Sequence, residues 1–294
     1  MKRQKSAFTV VELITVVAII SLLVGLLIPA LSAVKNAARD AKQRAQFTSI
    51  ELALTAFKND YGDYPPSLGR EPIPPRDWLN YCGAQKLAEA LVGQDLLGFA
   101  RKSQFYSDGS IDTPTGRLNL YNVNDAFLMS QRRDPYLEVE TAKPFFLGQL
   151  FANTGPLAPD TYVLCDVYGR KKVIQPNGKE AKAGRPILYY RANTSGKTTV
   201  EIYDVSDNDR IVEAAENEDR RGHPLGAGPY PPPFKSQVEF FYGGPNPAAG
   251  PIGLIQDPKV LKISRPYRPD SFLLISAGSD GIYGSGDDIH NFGD

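Results

Sequence analysis

The sequence predicts an α+β protein: one long amino-terminal α-helix packed on an antiparallel β-sheet, with long loops. Three observations carry this reading. An apolar run from Phe8 to Leu31 passes without a break into an amphipathic stretch that reaches about residue 60. Five short segments rich in aromatic and β-branched residues follow between 161 and 278, each bounded by Gly, Pro, Asn or Asp. The 26 Gly and 24 Pro of the 294 residues call for many turns between them. That length suits one compact domain with an appendage.

Charge narrows the function classes. Lys+Arg and Asp+Glu are equal at 33 each, so no basic excess points to nucleic acid. The basic residues do cluster at the amino terminus, where MKRQKSA carries Lys2, Arg3 and Lys5 and no acid. The apolar run behind it is interrupted only by Thr9, Glu12, Thr15 and Ser21. It exceeds the roughly 20 residues that cross a bilayer core as a helix. The basic flank predicts a cytoplasmic amino end and an exported body. Two readings fit such a segment: a secretory signal removed at a site such as ALSA, 30–33, or a retained transmembrane helix. Glu12 favours retention, because an acid within a membrane helix is expensive and a disposable signal has no use for it. Pro29 in GLLIP, 25–29, removes one helical hydrogen bond and predicts a kink or local unwinding.

Past Leu31, Phe47, Ile50, Leu54 and Phe57 recur at steps of three and four, one stripe of an α-helix facing a core. Gly62 and the Pro65-Pro66 pair end it. A second helix is predicted over Gln85 to Phe99, with Leu87, Ala90, Leu91 and Leu96 on its apolar side. Strands are predicted in TYVLCDVYG (161–169), RPILYYRA (185–192), TTVEIYDV (198–205), SQVEFFYG (236–243) and DSFLLISAG (270–278). Successive hairpins would make one antiparallel sheet with one face on the helix. The stretches 216–234 and 243–251 read as surface loops, tolerated insertions in preference to a partner-binding excursion through Tyr230. Cys82 and Cys165 are too far apart for a zinc knuckle. One disulfide and two separate buried thiols both stay open for them.

The residues SAFTVVELITVVAIISLLVGLLIPAL resemble the amino-terminal signal of type IV pilins and type II secretion pseudopilins. The resemblance implies a leader over 1–7 and cleavage by a prepilin peptidase between Ala7 and Phe8. It also implies N-methylation of Phe8 and an inner-membrane helix over 8–31. A periplasmic pilin-like domain would then fill 32–294. Ala7 stands where that family nearly always has Gly. Assembly into a filament with copies of itself and other pseudopilins, on an inner-membrane platform, follows from the same likeness. There the Phe8 ammonium of one subunit would pair with Glu12 of a neighbour. The other reading of Glu12 is a side chain that reaches the cytoplasmic interface without a partner. IELALTAFKNDYGDYPPSLG, 50–69, resembles the helix end of major pseudopilins, with Asp60, Gly62, Tyr64 and Pro65 in its places.

The end of the chain, SAGSDGIYGSGDDIHNFGD (276–294), sets Asp280, Asp287 and Asp288 among four glycines. By composition this is a Gly/Asp-rich turn without metal. SAGSDG followed by GDDI resembles the calcium loop of major pseudopilins, which implies a Ca²⁺ site of flexible oxygen ligands. The side chains of Asp280, Asp287 and Asp288 would bind it, with carbonyls of Ala277 and Ile282. His290 reads as a surface residue. Neither histidine, His223 or His290, lies in a protease motif, and no GxSxG elbow or P-loop occurs, so an enzyme is not expected. The reading from another class is a secreted soluble binding protein or hydrolase whose signal is removed.

Overall fold

A computed structural model describes residues 9–67, 81–174, 178–244, 251–260 and 264–293. The cut site at Ala7 and Phe8, the side chain of Pro29 and most of the 243–251 loop lie outside the described residues. The chain divides into two compact units, Met1–Lys42 and Gln43–Asp294.

In chain order the elements are α1 (Val10–Tyr61), α2 (Gly83–Val92), β1 (Phe99–Ala100), β2 (Ser110–Thr113), β3 (Gly116–Asn119) and α3 (Ala126–Ser130). Then come β4 (Arg132–Arg133), α4 (Val139–Ala142), β5 (Pro144–Phe146), α5 (Leu147–Leu150), β6 (Tyr162–Leu164), β7 (Lys171–Ile174), β8 (Glu180–Ala183) and β9 (Leu188–Arg191). They are followed by α6 (Thr199–Ile202), a 3₁₀ turn (Val205–Asn208), α7 (Asp209–Asp219), α8 (Gln237–Tyr242), β10 (Phe272–Ser276) and β11 (Ile289–His290). The protein is therefore α+β, with a long amino-terminal helix and small antiparallel sheets.

The first helix is continuous over 52 residues, about 78 Å at the usual rise. It stops at Gly62, whose φ of +85° suits a residue without Cβ and whose N–H reaches Lys58 O at 2.7 Å. The second helix stops the same way at Gly93, φ +82°, short of the predicted end near Phe99. The predicted stripe is real: Phe47, Ile50, Leu54 and Phe57 are all buried.

The sheet departs from expectation in two ways. Among the described residues there are five small sheets instead of one, and only β11-β10-β9 has three strands. Its register pairs Leu273 with Tyr190 and Ile275 with Leu188. Successive side chains alternate between faces. Tyr189, Phe272 and Leu274 pack with Ile50, Leu54, Leu87 and Leu91. On the other face Leu188, Tyr190, Leu273 and Ile275 pack with Tyr203, Val212, Phe241 and Tyr283. Both faces are covered, where the sequence had led us to expect one.

The cover comes from two segments predicted as strands. TTVEIYDV forms α6 and SQVEFFYG forms α8. In each, a hydroxyl residue stands three before a glutamate. Thr198 accepts from Glu201 N, while Glu201 takes Thr198 N and Lys197 N. Ser236 accepts from Glu239 N, and Glu239 takes Lys235 N. In α6 this cap is reciprocal, and in α8 the Ser236 hydroxyl and the Glu239 carboxylate take neighbouring amides; both satisfy free donors at a helix start and override the β-preference of the residues that follow. The stretch between DVYG and RPILYY folds as the β7–β8 hairpin. Tyr230, in the 216–234 loop, is turned in: it packs against the core and donates to Gly226 O at 2.8 Å.

Candidate functional site

Two regions were singled out by sequence, and each is built locally. In the amino-terminal unit, an 18-residue window of α1 has mean hydropathy 2.8 and is wholly exposed. Its large apolar side chains, from Val10 to Leu31, are 46–73 % exposed. By length and composition this helix can cross a membrane.

Glu12 has a local role that the sequence reading missed. Thr9 N and Thr9 Oγ1 donate to Glu12 Oε2 at 2.8 and 2.7 Å. In return Glu12 N donates to Thr9 Oγ1 at 3.2 Å. TVVE, 9–12, is thus a capping box like that of α6, and the spacing alone would have revealed it. The carboxylate also sits in the first turn, where the helix dipole favours negative charge.

The carboxyl-terminal loop is closed by its own groups. Asp287 Oδ2 accepts from Ser279 N, Ser279 Oγ and Asp280 N at 2.6, 2.7 and 2.9 Å. Asp287 Oδ1 accepts from Ser285 Oγ at 2.5 Å. Asp288 Oδ2 accepts from Gly284 N at 2.7 Å, and Asp280 Oδ1 from Ile282 N at 2.7 Å. The two candidate carbonyls are engaged as well: Ala277 O accepts from Gly281 N and Ile282 O from Ser285 N. Among the described residues no group of three or more His, Cys, Asp or Glu is gathered for a metal. The residues as arranged do not fit the calcium ion that the resemblance implies. His290 stacks on Phe292 with ring centroids 4.8 Å apart, half-buried rather than at the surface.

His223, which carried no role in the sequence reading, anchors this loop. Its side chain is fully buried, Nδ1 accepts from Tyr283 N at 3.2 Å, and Nε2 lies 3.3 Å from Asp219 Oδ2. Burial pushes its imidazole down to about 4, so it stays neutral at pH 7. Tyr283 OH donates to Pro186 O at 2.7 Å and fixes the far side.

Cys82 and Cys165 carry free thiols, both buried in one cluster. This is the second of the two readings. Burial pushes the Cys82 thiol up to about 11 and raises that of Cys165, so neither is a ready nucleophile. Cys82 borders a cleft of about 650 Å³ whose wall includes Asp207, Asp209, Glu213 and Glu216. Three of these acids are held: Asp209 by Gln237, Glu213 by Arg210, Glu216 by the amides of His223 and Ala227.

Asp207 differs. It is 3 % exposed; Oδ2 accepts from Ser67 Oγ at 2.6 Å, and Oδ1 has no partner among the described residues. Burial pushes its carboxyl up to about 7, against the Ser67 hydrogen bond. A folded-state value above the unfolded one of about 3.9 means that folding favours the protonated form. That contribution is full below about pH 4 and is lost as pH rises to about 7. Asp207→Asn is therefore expected to melt above the wild type near pH 8, with the gap narrowing as pH falls and closing at about pH 4. His223 runs oppositely, losing stability as pH falls from about 6.5 toward about 4. Paired melting curves across that range check the prediction, and a gap independent of pH rejects it.

No protein family, curated protein or solved structure matches the chain.

Proposed function

We propose that this chain is the structural subunit of a filament of the pseudopilus or type IV pilus kind, of a type II secretion system in the first instance. Before assembly it is held in the inner membrane by the apolar part of α1, with the body on the periplasmic side. Prepilin peptidase removes 1–7 and Phe8 is methylated. The subunit then joins its copies, and other pseudopilins, on an inner-membrane platform. One observation carries the reading. A run of exposed Leu, Ile and Val side chains on α1 is not buried by the described residues, and an apolar surface of that extent calls for lipid or like helices. Related helices bundling side by side give an open, non-closing contact, which generates a filament.

The test is the amino terminus of the protein purified from membranes. Terminal sequencing and intact mass are expected to give a chain that begins at Phe8 with one added methyl group. A terminus near Val34 would overturn the reading in favour of a secreted soluble protein.

A further inference from the structure

We propose that the carboxyl-terminal loop closes on two guanidinium groups, those of Arg170 and Arg221, and needs no metal ion. The inference concerns the body alone and does not depend on assembly.

A tight loop rich in Gly and Asp has two electrostatic problems. Its carboxylates crowd one another, and its inward carbonyls lack donors. A divalent cation answers both by taking six to eight oxygens. A guanidinium can do the same work from within the chain, because it is always charged and presents several donors in a plane. Arg170 Nη2 donates to Gly278 O at 3.0 Å. Arg221 Nη2 donates to Asp280 O at 3.0 Å and also reaches Asp219 Oδ2 at 3.1 Å. Two successive turns of the loop thus each give a carbonyl to a fixed cation. The carboxylates are left to the loop's own amides and hydroxyls.

The backbone is shaped for this contact. A Cβ at Gly281 would lie 2.6 Å from both Cζ and Nε of Arg170, and Gly281 has φ +72°. A side chain there would push the guanidinium aside, and the positive φ itself favours glycine. The cation is itself held from behind. Arg170 N donates to Ala183 O at 2.7 Å, and the carboxylates of Asp166 and Asp280 act on its charge. Arg170 directly precedes β7 and Arg221 follows α7, so segments far apart in sequence meet on the loop.

The experiment uses the full chain in detergent, with calcium chloride alone or EGTA alone as the probe. The wild-type melting curves are expected to superimpose in the two. Arg170→Ala is expected to lower Tm by at least about 4 °C. It should speed amide exchange at 278–284 while leaving β9 unchanged. Arg221→Ala should act in the same direction, and Arg170→Gln, which keeps a donor without the charge, serves if the alanine variant does not fold. A fall of wild-type Tm in EGTA, or a rise with calcium chloride, would overturn the proposal. So would arginine variants whose loop exchanges as slowly as the wild type.

Discussion

Glu12→Ala is expected to leave the protein in the membrane but to cut filament formation by more than about tenfold, the scale on which losing one partner of a buried ion pair acts. The measurement is the sheared-filament fraction against the membrane-retained fraction. On the proposed reading two effects combine in that loss: Glu12 closes the capping box with Thr9, and it would supply the charge for the Phe8 ammonium of a neighbour. Glu12→Gln separates them. Glutamine serves in a capping box but carries no charge. If pairing drives assembly, Glu12→Gln fails as Glu12→Ala does. If capping suffices, it assembles normally and the pairing role is rejected. Thr9→Ala completes the set by removing both hydroxyl bonds while keeping the carboxylate's charge and its bond from the residue 9 N–H.

The second large effect is expected at Glu89→Leu. Glu89 lies on the buried helix α2 and is 1 % exposed. Its Oε1 accepts from Ser103 Oγ and Tyr121 OH at 2.5 and 2.9 Å, and its Oε2 from Tyr81 OH and Gln94 Nε2 at 2.7 and 3.1 Å. Burial raises its carboxyl above the usual range against those four donors. Leucine fills the space but strands the donors. Each buried donor left unmade costs about 1–3 kcal/mol, so the sum approaches the whole stability of an ordinary domain, about 5–15 kcal/mol. The variant is expected to lose cooperative unfolding, or to melt more than about 10 °C lower, by circular dichroism. A Tm within about 2 °C of the wild type would show that water replaces the carboxylate.

The sequence made some of this legible and hid the rest for physical reasons. The long helix and its stripe from Phe47 to Phe57 follow from periodicity, which reports burial directly, and the strands at 188–191 and 272–276 from aromatic and β-branched runs bounded by turn residues. The segments at 198–205 and 236–243 misled because Val, Ile, Phe and Tyr suit a strand as well as a buried helix face. The deciding signal was the Thr198–Glu201 and Ser236–Glu239 spacing, a local hydrogen-bond pattern that outranks propensity. The same spacing at Thr9–Glu12 was hidden behind the question of charge in a membrane. In the carboxyl-terminal loop the acids were visible, but Arg170 and Arg221 were not, because nothing local in sequence ties them to residue 278 or 280. Glu89 and His223 were silent because their partners sit at irregular spacings that no helix or strand period marks, from Tyr81 to Tyr121 for Glu89 and at Asp219 and Tyr283 for His223.

The order of the three-stranded sheet has a consequence for how the protein is made. Its middle strand, β10, is synthesised long after β9, and β11 comes later still. Until Phe272–Ser276 emerges, Leu188–Arg191 lacks its ladder partner in this sheet and can close only against the helices made before it. The sheet's pairing therefore forms late, after the whole span from β9 to β10 is present, while the amino-terminal segment is already available.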